Sequence, residues 1–324
     1  MSNEITISIV CITFNHGRYI RQTLEGFLSQ TLPDKYKYEI LIHDDASTDD
    51  TIGILKDYAA RYRDVFTLFL EEENQYGKGR SYFLELFRKA RGKYIAICEG
   101  DDFWTDPTKL SQQIEALEQH PECVACCHNE VVVKKDGTPW PDSYQKIYRQ
   151  DRDIILDSAF LYDHNKFSHT ASMVVRASLF QNLTEAMVED FLSTKANGDM
   201  KWAAMAAACG KVFFIAKDMA CYRFVPAGGD SWSAKNAGKN ICLSTYEQLE
   251  RLQGLISRFY DVEIDYGGSM DRLWQTAVLT WLKKPSKSNY SILKKISQKQ
   301  NKNVLHMVTI LGSRVMKKLC RSSK

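Results

Sequence analysis

Short apolar runs alternate with longer amphipathic stretches along the first 120 residues of the chain. The short runs are rich in β-branched residues and predict strands, whereas apolar residues at every third or fourth position predict helices. The predicted strands cover residues 5–12, 38–43, 65–70 and 94–98, and the predicted helices cover 18–30, 52–59, 78–91 and 106–120. Because strand and helix alternate four times, we expect an α/β fold with a doubly wound, mostly parallel sheet.

The pattern is mixed after residue 120 and becomes helical towards the C-terminus. The predicted strands there cover 124–133, 172–176, 212–215 and 219–224, and the predicted helices cover 154–162, 177–191, 198–208, 234–260 and 271–284. We therefore expect one α/β domain over residues 1–232, made of the halves 1–120 and 121–232. A helical C-terminal extension over 233–324 follows it and ends in a basic amphipathic tail.

Three polar clusters lie where predicted parallel strands end. They are Thr13 to Asn15, Asp44 to Ser47 and Glu99 to Asp102. Right-handed crossovers place the carboxyl ends of these strands along one rim of the sheet, where open α/β sheets bind their ligands. A structural turn explains any one of the clusters, but a shared site explains all three.

The third cluster contains Glu99, Asp101 and Asp102, three acids within four residues. Carboxylates this close raise one another's pKa values unless a cation lies between them. Mg²⁺ or Mn²⁺ held by such carboxylates is usually completed by substrate phosphates. The sequence has no P-loop and no Gly-rich dinucleotide motif, so a metal would have to neutralise the phosphates. The alternative is a solvated turn that caps the helix starting near Asp106 and Pro107.

Basic residues are concentrated at the C-terminus. From Arg272 to Lys324 the chain carries 13 of its 43 Lys and Arg and none of its 40 Asp and Glu, so the remainder is formally acidic. An apolar helical stripe near the end has basic residues beside it: Val304, Val308, Leu311, Val315 and Leu319. This pattern predicts either an interfacial helix on an anionic membrane or a helix packed on the body. Because the body is acidic, we expect no nucleic-acid partner.

The nine cysteines are scattered and odd in number, and several lie in apolar strand-like runs. They indicate free thiols in a reducing compartment. Cys123, Cys126, Cys127 and His128 resemble half a zinc site, but a packed strand is the favoured interpretation because no second cysteine pair follows at finger spacing. With no signal peptide and no apolar run of bilayer length in the sequence, we expect a cytoplasmic protein, peripheral at most on the inner face of the cell membrane.

Four motifs in order resemble family 2 glycosyltransferases of GT-A fold, the type that acts on bacterial polysaccharides. They are Ile9 to Asn15, Ser29-Gln30-Thr31, Glu39 to Thr51, and Glu99-Gly100-Asp101-Asp102-Phe103-Trp104 with Asp106, Pro107, Lys109 and Leu110. The resemblance implies a metal-dependent, inverting transfer of a sugar from a nucleotide-diphosphate sugar, such as a UDP-sugar. The acceptor it implies is a sugar hydroxyl of a surface polysaccharide or a polyprenyl-linked intermediate. The implied cofactor is Mn²⁺ or Mg²⁺.

The resemblance also implies roles for individual residues on the donor side. Asp45 would contact the uracil ring, with the main chain of Ile12 and Thr13 beside it. Asn15 and Asp44 belong to the same nucleotide-binding turns. Asp101 would be the metal ligand.

The remaining acids of the motif and its aromatic residue have less direct counterparts. Glu99 stands where the family usually has Asp, which keeps the charge but extends the reach. Asp102 would orient the sugar or the loop. Trp104 would either lie beneath the acceptor or serve as a core aromatic residue.

The family's general base is a later carboxylate at the start of a helix. The best match is Asp199, which follows Gly198, and the alternatives are that Asp199 is only a helix cap or that Asp190 is the base. Arg223 and Ser231 would reach the phosphates, although Val225 stands where relatives often carry a His. His169 could face the acceptor or be structural.

Two other functional classes remain open at this stage. A sugar-phosphate nucleotidyltransferase shares the sheet and the metal, but it opens with a Gly-rich basic loop, to which Thr13 to Arg18 is a poor match. A non-catalytic carbohydrate-binding relative becomes attractive if Asp199 points away from the metal site.

Overall fold

The computed structural model describes residues 5–76, 78, 81–146, 148–164, 168–226 and 239–303. The strands of this described part form one sheet: β1 (Ile7–Thr13), β2 (Tyr38–Asp44), β3 (Phe66–Leu70), β4 (Tyr94–Glu99), β5 (Phe103–Trp104), β6 (Cys123–Val133), β7 (Ile154–Leu156), β8 (Val174–Arg176) and β9 (Lys211–Arg223). Their order is β3-β2-β1-β4-β8-β6-β9-β5, and β7 also pairs with β9. The first four strands are parallel, while β8 runs antiparallel between β4 and β6.

Helices cover both faces of the sheet and form the C-terminal region. They are α1 (Ile20–Leu28), α2 (Thr51–Arg61), α3 (Tyr82–Lys89), α4 (Lys109–Gln119), α5 (Asp142–Gln145), α6 (Ser158–His164), α7 (Ser178–Gln181), α8 (Glu185–Ser193), α9 (Gly198–Cys209), α10 (Cys242–Phe259), α11 (Gly267–Lys283) and α12 (Lys287–Lys299). The expected α/β class, the mostly parallel sheet and the helical C-terminal region are confirmed.

The central strands are apolar throughout because both of their faces are covered. Along β1, Ile9 and Cys11 join one buried cluster, whereas Val10 between them joins the other. The same alternation repeats on β2 and β4, and it follows from the two-residue period of a strand. A buried parallel sheet therefore reads as a continuous apolar run, which is why β1, β2 and β4 were visible in the sequence.

Three predictions in the second half of the sheet domain need correction. Residues 154–162 are a short strand followed by a helix, because Ile154–Leu156 pairs with β9. Residues 177–191 contain two helices. The second begins directly after its cap residue Thr184, whose side chain accepts a hydrogen bond from the Met187 N–H. Residues 211–223 form one continuous strand, which pairs with β6 on both sides of the expected turn and with β7 before it.

The C-terminal helices pack on the body and on each other. On α10, Leu249, Leu252 and Ile256 join the main core, while Trp274 of α11 and Leu293 of α12 belong to a smaller core shared by the three helices. The helix α12 lies in what the sequence left as a tail. The expected boundary at 232/233 and the stripe from Val304 onwards fall outside the described residues, so the division into 1–232 and 233–324 stays a prediction.

The cysteine-rich run lies inside the sheet. Cys123, Cys126 and Cys127 are buried in β6 as free thiols, so the packed-strand interpretation is confirmed. No helix in the described part of the chain is long and apolar enough to cross a membrane.

Gly92, at the start of β4, gives a sharp test of the packing between β4 and β1. A Cβ at this position would lie 2.5 Å from the Ser8 nitrogen and 2.7 Å from the Ile7 carbonyl carbon. Backbone atoms cannot move aside as a side chain can, so Gly92→Ala is expected to lower the free energy of unfolding by about 1–3 kcal/mol. Urea denaturation measures this change.

Gly53 supplies the matched control, since a Cβ there would meet nothing within 4 Å. Gly53 lies in the α2 helix, where alanine is favoured over glycine by about 1 kcal/mol. Gly53→Ala should therefore be neutral or stabilising. Equal effects of the two substitutions would contradict the close β1–β4 approach.

Candidate active site

The three polar clusters meet at the carboxyl ends of β2, β1 and β4. In the strand register Thr13 is paired with Asp44, and Ile12 is paired with Glu99. The Asp45 N–H donates to the Thr13 carbonyl (3.0 Å), and the Gly100 N–H donates to the Ile12 carbonyl (2.9 Å). These bonds extend the sheet by one residue into each loop and set the loops side by side.

Asn15 connects the loop after β1 to the loop after β2. Its backbone N–H donates to the Ser47 hydroxyl (2.8 Å), and its side-chain oxygen accepts from the Thr48 N–H (2.8 Å). Asn15 has a φ of 55°, in the left-handed region that asparagine tolerates better than most residues. The structure thus gives Asn15 a position that shapes the nucleotide-side turn.

Asp44 builds the second loop from within. Its two carboxylate oxygens accept from the Ser47 N–H (2.8 Å) and the Ser47 hydroxyl (2.6 Å). The side chain is fully buried, and this burial raises the pKa of the carboxyl. Asp44 therefore forms the turn that presents Asp45, and its place among the nucleotide-binding residues stays a prediction.

Asp45 lies at the mouth of this turn. Its Oδ1 accepts from the Gln75 N–H (2.8 Å), and its carbonyl accepts from the Asn74 side chain (3.2 Å). The segment after β3 therefore closes over Asp45. Nothing in the sequence pattern indicated this contact, because it joins residues 30 positions apart in a polar loop.

The acid cluster follows β4. Glu99, Asp101 and Asp102 each offer a carboxylate oxygen, and these oxygens lie within 4.8 Å of one another. Gly100 is required between them, since a Cβ there would lie 2.8 Å from His16 Nδ1 and 3.0 Å from the Thr13 side chain. The His16 ring thus lies against this loop, with its Nε2 4.0 Å from Asp101 Oδ2.

Asp102 is the buried member of the cluster, with 1% of its surface exposed. Its Oδ1 accepts from the Arg223 N–H (2.7 Å), and its Oδ2 has no hydrogen-bond partner among the described residues. Burial raises the pKa of Asp102 well above its usual range, and the charges of Asp101 and Glu99 raise it further. The three carboxylates, one of which has a buried oxygen without a hydrogen-bond partner, fit Mg²⁺ or Mn²⁺, because these ions prefer oxygen ligands.

Arg223, at the end of β9, holds the acid cluster against the rest of the site. Its Nε donates to the Asp101 carbonyl (2.8 Å), one Nη donates to the Lys134 and Lys135 carbonyls (3.2 Å each), and the other donates to Gln22 (3.1 Å). Most of its donors are committed to protein oxygens. Arg223 therefore positions the acid loop through these bonds, and the phosphate contact expected of it stays a prediction.

Trp104 is a core residue, 4% exposed. Its Nε1 donates to the Ala171 carbonyl (2.9 Å), and its ring packs on Phe27 with 4.7 Å between centroids. The buried Lys109 lies over the ring, with its Nζ 4.1 Å from the centroid, and burial lowers the pKa of this lysine to about 8. Of the two alternatives for Trp104, these contacts favour a core aromatic residue over a side chain beneath the acceptor.

Asp199 lies in the first turn of α9 and is partly exposed, and its Oδ1 accepts from the Met200 N–H (2.8 Å). The rival, Asp190, forms an ion pair with Arg258 of α10, which gives it a structural partner. Ser231 lies outside the described residues, so the expectation for it stays open.

His169 lies on the second half of the sheet domain and has a buried partner. Its Nδ1 is 3.0 Å from Glu130 Oε2, and its ring stacks on Tyr222 with 3.9 Å between centroids. His169 was recognisable in the sequence, but Glu130 was not, because it lies within the apolar run of β6.

The family model described as Glycosyl transferase family 2 matches residues 8–184, which include every motif of the rim. The chain belongs to this family. The family expected from the four motifs is therefore confirmed, and the match includes the whole rim.

Curated relatives match over part of their length. An uncharacterised protein of Mycobacterium bovis is 40% identical over 170 residues, 52% of this chain and 46% of that protein. The putative teichuronic acid biosynthesis glycosyltransferase TuaG of Bacillus subtilis is 31% identical over 41% of this chain and 50% of its own. The Escherichia coli protein WfaP, a UDP-Glc:α-D-GlcNAc-diphosphoundecaprenol β-1,3-glucosyltransferase, is 34% identical over 40% of this chain and 47% of its own. The chain thus spans about half the length of these relatives.

A solved structure extends the fold comparison to most of the chain. TarS of S. aureus, in a complex with UDP-GlcNAc, superposes with a TM-score of 0.62 and 15% identity, over 90% of this chain and 79% of that one. At this identity the likeness shows the shared fold alone. It includes the region after residue 184, which the family 2 match does not reach.

Proposed function

We propose that this family 2 domain is a metal-dependent, inverting glycosyltransferase that moves a sugar from a UDP-sugar to a sugar hydroxyl. The acceptor in this proposal is a surface polysaccharide or a polyprenyl-linked intermediate of one. The observation that carries the proposal is the three-carboxylate cluster at the end of β4, two strands from Asp45. The activities described for TuaG and WfaP support the acceptor class.

Asp45 and the backbone around Thr13 are proposed to hold the nucleotide. The Asp45 carboxylate is an acceptor for a base N–H, and the bond from its own N–H to the Thr13 carbonyl sets its direction. The contact with Gln75 fixes the same carboxylate from the other side. A preorganised acceptor of this kind loses little entropy when a ligand binds.

Asp101 is proposed as the metal ligand, with Glu99 and Asp102 beside it. A bound Mg²⁺ or Mn²⁺ would act as a Lewis acid that stabilises the nucleotide diphosphate as a leaving group. The protein contributes the fixed geometry of the loop. Gly100 allows the close approach to His16, and Arg223 and Thr23 hold the loop carbonyls; the Thr23 hydroxyl donates to the carbonyls of Gly100 (3.1 Å) and Asp102 (2.6 Å).

Asp199 is proposed as the general base. An inverting transfer needs a carboxylate that removes the proton of the acceptor hydroxyl as its oxygen attacks the anomeric carbon. Asp199 is partly exposed at the start of a helix, whereas Asp190 is engaged by Arg258. These positions favour Asp199 over its rival.

The function is tested by release of UDP from a panel of UDP-sugars, with and without glycan acceptors, in the presence of manganese. We expect acceptor-stimulated UDP release that EDTA suppresses by at least about a hundredfold and that added Mn²⁺ restores. Release that is indifferent to EDTA would contradict the metal proposal. Formation of UDP-sugar from UTP and a sugar 1-phosphate would instead identify a nucleotidyltransferase, and glycan binding without turnover would identify a carbohydrate-binding protein.

A further inference from the structure

A groove of about 530 Å³ lies beside the acid cluster, to which the lining residue Arg223 bonds directly. It is bounded by the start of α1, by the turn after β6 and by the end of β9. Arg18, Lys134, Lys135 and Arg223 supply four positive charges to its lining, and Asp136 supplies one negative charge. We call it the basic groove.

The positive charge of the basic groove is only partly neutralised within the described part of the chain. Asp136 offsets one of the four charges, so three remain in excess. Arg18, Lys134 and Lys135 form no ion pair there. The guanidinium of the buried Arg223 donates to carbonyl and amide oxygens, which carry no formal charge.

The groove and the acid cluster are neighbours at the same rim of the sheet. Asp45 follows β2 and the acid cluster follows β4, whereas the two lysines of the groove follow β6 and Arg223 ends β9. The rest of the lining comes from the start of α1, which follows β1. Arg223 joins the groove to the cluster directly, because its Nε donates to the carbonyl of Asp101.

An aromatic surface continues from the groove. The Lys134 Nζ is 5.7 Å from the centroid of the Trp140 ring, which packs on Tyr144 (4.7 Å) and Phe224 (6.1 Å). Aromatic faces bind the apolar faces of sugars and lipid chains. A ligand with an anionic group next to such parts fits this combination of surfaces.

We propose that the basic groove binds the diphosphate group of the acceptor, in a lipid-diphosphate-linked saccharide. This inference rests on the proposed transferase function. A neutral glycan acceptor would leave the excess positive charge of the groove without a counterpart, whereas a diphosphate matches it. In the proposed function the donor's own diphosphate binds at the acid cluster, beside the groove.

Inorganic pyrophosphate is the simplest probe of the groove, used in EDTA so that no metal bridges it to the acid cluster. Isothermal titration of the full chain should show pyrophosphate binding that the double variant Lys134→Gln/Lys135→Gln weakens at least about tenfold. Both substitutions keep the two carbonyl groups that hold Arg223. UDP affinity in Mn²⁺ should change by less than about twofold.

The adjacent exposed lysines of α12 provide the matched control. Lys294→Gln/Lys295→Gln removes the same charge from another surface and should leave pyrophosphate binding unchanged. Equal weakening in both double variants would show a general charge effect and overturn the proposal. A parallel loss of UDP affinity in the groove variant would assign the groove to the donor and also overturn it.

Competition experiments distinguish the two sources of a lipid phosphate. Farnesyl diphosphate below its micellar concentration should displace pyrophosphate, and phosphatidylglycerol vesicles should not. Displacement by vesicles, lost in the groove variant, would identify a membrane headgroup site and contradict the acceptor assignment. Failure of the transferase proposal would appear separately, as absence of UDP-sugar turnover in the unmodified chain.

Discussion

Asp101→Ala is expected to reduce UDP-sugar turnover by about 10²–10³-fold, the cost of removing one group that stabilises charge developing in a transition state. Asp101, like Glu99, is a partly exposed carboxylate of the cluster, and its backbone is fixed by Arg223. Without it the remaining acids are a buried Asp102 and Glu99, so the metal is held less well. Steady-state UDP release measures the loss of turnover, and titration of UDP with and without Mn²⁺ measures the loss of metal-dependent binding.

Asp57→Ala is the control for this substitution. Asp57 is exposed on α2, away from the rim, and its replacement should leave both measurements unchanged. A UDP affinity that still responds to Mn²⁺ in Asp101→Ala would place the metal elsewhere. Circular dichroism of the two variants should be identical, because Arg223 contacts the backbone carbonyl of Asp101, which alanine retains.

Asp199→Asn is expected to lower kcat by about 10²–10⁴-fold, the range for loss of a positioned general base. Asparagine keeps the shape of the side chain and an oxygen for the Met200 N–H, so the start of α9 should remain folded. UDP affinity in Mn²⁺ should be preserved because the base acts on the acceptor. A kcat effect without a change in UDP binding separates this role from that of Asp101.

Asp190→Asn tests the rival position. It breaks the ion pair with Arg258, a partly exposed pair whose loss costs about 1 kcal/mol or less of stability. Turnover at 25 °C should therefore be close to that of the unmodified chain. A large loss in Asp190→Asn together with full activity of Asp199→Asn would reverse the assignment.

The rim illustrates how much of a site can be predicted from a sequence. Thr13, Asp45 and Asp101 were found because each follows an apolar run, and parallel strands bring their carboxyl ends together. Asp44 and Trp104 stand in the same motifs, yet Asp44 bonds within its own turn and Trp104 packs in the core. Proximity along the chain does not say which way a side chain turns.

The contacts that hold the site together were not predictable from local pattern. Arg223 reaches Asp101 across 122 positions of sequence, and Gln75 reaches Asp45 across 30. Likewise, residues 154–156 form the strand β7 because they pair with the start of β9, although residues 154–162 have a helical pattern. Tertiary pairing overrides local propensity in such segments.

By itself, the sequence determined the alternation of strands and helices, the placing of three polar clusters at one sheet edge, and membership of a family. These follow from hydrophobic periodicity and from motifs, which are local properties of the chain. The tertiary structure alone decided which acids are buried and that Arg223 bonds to the acid loop. It alone also brought cations from beside α1, β6 and β9 together around one groove. These depend on distances between residues far apart in sequence, which only the packed sheet brings together.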